Sequence, residues 1–68
     1  MPTLDEQIAR ARKHVEDGRR IVANQRERIA SGKTYNEAEA RELLEQFERA
    51  QVLFESDLKR LLDQRKST

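Results

Sequence analysis

The chain has 68 residues, 40% of them Asp, Glu, Lys or Arg, with a formal net charge of +1 and no cysteine. This length allows one small domain, the missing cysteine removes disulfides and thiolate metal sites, and the near-neutral balance is unlike the strong positive charge of most nucleic-acid binders. No apolar run approaches the ~20 residues needed to span a bilayer, and the segment Met1–Glu6 lacks the basic and apolar regions of a secretory signal, so a cytoplasmic location is the expectation.

The first element announces itself with Thr3 and Glu6, a T-x-x-E capping box in which the threonine hydroxyl accepts from the amide three residues on while the glutamate reaches back. Asp5 and Glu6 also suit the positive end of a helix dipole. Leu4, Ile8, Ala11, Val15, Gly18, Val22, Gln25 and Ile29 then follow at alternating spacings of four and three. That rhythm predicts a helix over about 4–31 with one apolar seam. Gly32 is the natural stop, because glycine tolerates the left-handed conformation that ends a helix.

A turn over about 32–35 leads to a second start signal. Thr34 with Glu37 and Asn36 with Glu39 are two competing boxes of the same spacing. The second helix is expected over about 36–65, with Ala40, Leu44, Phe47, Gln51, Phe54, Leu58, Leu61 and Arg65 in the same rhythm and Arg65 and Lys66 at its negative end.

Folding the chain back at the turn places residues whose numbers sum to 65 opposite one another: Gly18 with Phe47, Ala11 with Phe54, Leu4 with Leu61. Small residues fall opposite large ones, as interdigitating layers require. The fold class expected is therefore all-α, one antiparallel coiled-coil-like hairpin spanning 1–68. On one flank of the seam this register sets Arg12 against Glu55 and Arg19 against Glu48, while Arg26 against Arg41 breaks the pattern. On the other flank lie His14, Ile21, Leu43, Ala50 and Leu53, a mainly apolar strip outside the seam. Two rods of about 30 residues cannot enclose a globular core, and chains this short usually need a staple or a partner. The strip is accordingly the expected interface of a homodimer that closes a four-helix bundle.

No stretch carries a complete catalytic or ligand-binding motif. Ser31-Gly32-Lys33-Thr34 imitates the end of a phosphate-binding loop, but Glu27 stands where the first glycine is needed and the context is helix–turn–helix. His14 is the only imidazole, too little for a metal site without carboxylates or a second subunit. Glu37, Glu39, Glu42, Glu45, Glu48 and Glu55 are numerous, yet no Glu-x-x-His accompanies them, so a di-metal bundle is not expected. Neither cofactor nor metal is predicted, and the chain reads as a non-enzyme. Arg10, Arg12, Lys13, Arg19, Arg20, Arg26 and Arg28 give the first helix a basic character, and Tyr35 is the one exposed-looking aromatic. Nucleic-acid binding through that helix is the alternative function.

The pattern His14-Val15, Gly18, Ile21-Val22, Gln25, Ile29, Glu39-Ala40, Leu43-Leu44, Phe47, covering residues 14–47, resembles a loose group of small uncharacterised bacterial helical-hairpin proteins. The resemblance implies a packing scheme and no particular activity. In size and layout alone the chain is also similar to Rop-like hairpins, which dimerise into four-helix bundles and bind RNA. The function expected is a protein–protein interaction or structural module with a protein partner of unknown identity.

Overall fold

Local capping chemistry sets both helix boundaries. The computed structural model describes residues 1–67 and contains α1 over Leu4–Ala30 and α2 over Glu37–Lys66, with no strand among the described residues. At the start of α1 the Thr3 Oγ1 accepts from the Glu6 amide at 3.1 Å. The reciprocal half of the box differs from expectation: the Glu6 carboxylate accepts from the Thr3 hydroxyl at 3.2 Å rather than from the Thr3 amide. Of the two competing signals for α2, Asn36 prevails, its side-chain oxygen accepting from the Glu39 amide at 3.2 Å. The turn therefore runs one residue wider on each side than the sequence suggests.

Gly32, at φ 71°, carries the reversal. Its amide donates to the Ile29 carbonyl at 3.2 Å and the Lys33 amide donates to the Arg28 carbonyl at 3.1 Å. These are the two bonds of a Schellman motif, which satisfy carbonyls the end of a helix would otherwise leave open.

The two helices pack against each other along their length, and the molecule measures 49 × 19 × 14 Å. Its radius of gyration of 15.3 Å compares with about 11 Å for a globular chain of this length. Ile8, Ala11, Val15, Gly18, Val22 and Gln25 of α1 are buried, with Ala40 and Leu61 of α2. Leu4, Ile29, Leu44, Phe47 and Leu58 are half-buried. A buried apolar cluster lies at the open end of the hairpin, where Leu4, Leu58 and Leu62 pack over Ile8, Ala11 and Leu61.

Two glutamines pin the register. Gln25 Nε2 donates to the Ala40 carbonyl at 2.9 Å, and Gln51 Nε2 donates to the Val15 carbonyl at 3.0 Å. The numbers of these pairs add to 65 and 66, so the helices are level as the sequence implies.

The side-chain partners nevertheless differ from those read off backbone level. The Gln51 carboxamide, not the Phe47 ring, lies closest to the Cβ direction of Gly18. Phe54 meets His14, one helical turn nearer the loop than Ala11, with ring centroids 5.4 Å apart and an interplanar angle of 42°. Arg19 pairs with Glu55 at 3.8 Å and Arg26 with Glu48 at 3.2 Å, in place of Arg12 with Glu55 and Arg19 with Glu48. A single cause accounts for all three changes. Helical side chains lean toward their own N-terminus. In an antiparallel pair the two leans oppose, so each side chain of α2 reaches a residue of α1 nearer the turn. A long side chain against a short partner shifts the pairing by about half a heptad, and two long ones shift it by a full heptad. The apparent clash of Arg26 with Arg41 vanishes for the same reason, since Arg41 bonds to Glu37 at 2.9 Å within its own helix.

Candidate interaction surface

Each flank of the seam carries its own mixture of apolar and charged groups. On one flank the groove between the helices is lined by Val15, Leu58 and Leu62, rimmed by Arg19, Lys59, Arg65 and Lys66 and by Glu55 and Asp63, and encloses about 500 Å³. Interhelical ion pairs cross this side: Arg19–Glu55, Arg26–Glu48 and, at the open end, Arg65–Asp5 at 3.6 Å. All of these side chains are substantially exposed, so they select register more than they stabilise, at ~0–1 kcal/mol each.

The opposite flank is where the strip falls. Ile21 is 42% exposed, Leu43 41% and Leu53 69%, while Ala50 is half-buried. Phe54 joins them at 36% exposure, its ring leaning on the exposed His14. Sequence reasoning assigned Phe54 to the seam and missed it here; the N-terminal lean of its side chain was the available signal. Val52, also exposed, belongs to the other flank beside Arg26 and Glu48. Charged residues bracket the strip: Arg28 and Glu39 line a cleft near the turn together with Leu43, and Arg10, Asp57 and Arg60 surround His14 toward the open end.

The residues singled out for chemistry are held in other roles. In the Ser31–Thr34 turn, the Ser31, Gly32 and Lys33 amides donate to the last carbonyls of α1, so these three donors are engaged in ending the helix rather than in cradling a phosphate. Asp57, in the cleft with His14, bonds to Arg60 at 2.6 Å. Among the described residues no group of three His, Cys, Asp or Glu side chains is placed to hold a metal ion. Of the basic residues of α1, Arg19, Arg20 and Arg26 are paired with Glu55, Asp17 and Glu48. Among the described residues no helix is long and apolar enough to cross a membrane.

Gln51 was read as one more seam position and has a more specific place. Its Nε2 is bonded across the seam, while its Oε1 is buried with no hydrogen-bond partner and rests against Gly18. A side chain at position 18 would have to displace the end of the Gln51 side chain.

Comparison of the chain with protein-family models, with curated proteins and with solved structures gives no match.

Proposed function

We propose that the protein is a non-enzymatic protein–protein interaction or structural module that acts as a homodimer, two hairpins joining through the flank of His14, Ile21, Leu43, Ala50 and Leu53 to form a four-helix bundle. The exposed area carries this reading. The chain presents 5611 Å² to solvent, whereas a globular protein of 8.0 kDa exposes about 4,400 Å². The excess of about 1,200 Å² exceeds the ~800 Å² that each partner contributes to a stable interface of ordinary size. The apolar residues left outside the seam are concentrated on one flank, where a copy of the same flank would cover them. A chain without cysteine also suits the reducing cytoplasm.

Replacing Leu43 with Glu tests the assignment of the face. Leu43 lies beside the seam rather than in it, so a monomeric hairpin would tolerate the change. In the dimer the variant should sediment as a monomer and melt at a lower temperature. A variant with wild-type mass and melting temperature contradicts the reading.

Nucleic-acid binding through α1 is less favoured, because three of its seven basic side chains named above are held by carboxylates. RNA binding that falls steeply with salt would reverse that preference.

A further inference from the structure

Charge is distributed unevenly along the two helices, and the distribution discriminates between ways of joining two hairpins. In residues 18–33, which include the turn half of α1, Arg19, Arg20, Arg26, Arg28 and Lys33 oppose only Glu27, a net of +4. In residues 34–48, the facing half of α2, Glu37, Glu39, Glu42, Glu45 and Glu48 oppose only Arg41, a net of −4. The open end is nearly balanced, −1 over residues 1–17 and +2 over residues 49–68, counting side chains alone.

Two arrangements bring the apolar flank of one hairpin onto that of another under two-fold symmetry. With the axis parallel to the helices, both turns lie at the same end and α1 of each copy runs beside α2 of the other. With the axis perpendicular to the helices, the turns lie at opposite ends, and like helices are neighbours. The apolar residues do not choose between them. Leu43 is level with residue 22 of α1 and Phe54 with residue 11, so the strip is centred on the middle of the hairpin and overlaps itself either way.

Charge does choose. We propose that the second copy docks with its turn at the same end, so that the positive turn half of α1 lies beside the negative turn half of α2 in the other copy. The four helices then alternate in sign around that end of the bundle. The opposite arrangement sets the +4 segment against one of −1 and the −4 segment against one of +2, a weaker match on both counts. Neighbouring helix axes lie 8–10 Å apart, about one Debye length at physiological salt, and Arg19, Arg26 and Glu48 are already paired across the other flank, so the choice rests on the charges nearest the docking face. On the docking flank itself Arg28 and Glu39 sit near the turn, where this arrangement places each beside the oppositely charged segment of the other copy. A consequence is that both turns, each with a fully exposed Tyr35, lie at one end of the bundle.

The inference rests on the dimer reading, and one experiment separates the two. Tyr35→Cys, in a chain with no other cysteine, carries a nitroxide label on each turn, and Ser67→Cys does the same at the open end. Neither change alters charge or touches the strip. Pulsed dipolar spectroscopy on each variant, with its mass and helicity checked, should give a label separation below about 30 Å in both, from neighbouring axes 8–10 Å apart plus the label arms. Separations above about 40 Å, expected from the 1.5 Å rise per residue when the turns lie at opposite ends, overturn the orientation and leave the dimer intact. A mass of one chain with no dipolar signal overturns both.

Discussion

The two ends of the seam are built differently. At the open end Ile8, Ala11 and Leu61 are buried beneath Leu4, Leu58 and Leu62, an all-aliphatic cluster. From the middle to the turn, the seam instead interleaves polar groups: Gln51 against Gly18 and Val15, then Gln25 against Ala40. The first region has the composition that stabilises, and the second the composition that specifies. A misaligned aliphatic layer loses little, because one leucine can replace another. A buried carboxamide shifted by a turn of helix loses its carbonyl partner and the net ~1 kcal/mol that such a bond contributes, with desolvation added. Ile21, Leu43, Leu53 and Phe54 lie outside both packed regions, exposed on one flank.

Leu61→Ala should have the largest effect. Removing the buried side chain at the centre of the aliphatic cluster should cost about 2–5 kcal/mol, a large share of the stability of a domain this small. Leu44→Ala, half-buried in the polar half, should cost only about 1–2 kcal/mol. Urea titration of the two variants measures the ratio, and equal losses would remove the distinction between the ends.

Gly18→Leu comes next, at about 1–3 kcal/mol of destabilisation in spite of better helix propensity, because the side chain must evict the Gln51 carboxamide. Adding Gln51→Ala should restore much of the loss, and the coupling in this double-mutant cycle identifies the occupant of the glycine hole. Additive effects would mean that the crowding lies elsewhere. Gln51 against Gly18 was not legible in the sequence, for a definite physical reason. Matching residue numbers across the hairpin locates backbone levels correctly, as Gln25–Ala40 and Val15–Gln51 demonstrate. It ignores the N-terminal lean of every helical side chain, which moves Phe54 onto His14 and each interhelical Arg–Glu pair by a heptad. The hairpin, its turn and the exposed strip depend on backbone level and periodicity, and these were readable. Individual partners depend on side-chain direction, and these were not. The competing helix starts at Thr34 and Asn36 were undecidable because both spacings satisfy the same box.

Capping gives a smaller effect. Asn36→Ala should lower stability by about 0.5–2 kcal/mol, and Thr34→Ala by no more than about 0.5 kcal/mol, since only the asparagine oxygen accepts a helix amide. Thermal melts of both variants rank the two signals directly, and the reverse order would move the start of α2. The smallest effect belongs to Lys33→Ala, expected within about 0.5 kcal/mol of the parent. Isothermal titration should detect no ATP or GTP binding in either protein, because the turn amides are bonded to α1. Micromolar nucleotide affinity lost in the variant would show that the turn does hold phosphate.

We propose above that the apolar flank left outside the seam is covered by a second copy of the chain. Light scattering coupled to size-exclusion chromatography, on the unmodified protein at tens of micromolar, tests it most directly. A homodimer gives about 16 kDa, twice the 8.0 kDa of the chain. A folded, helical species at about 8 kDa under those conditions would contradict it.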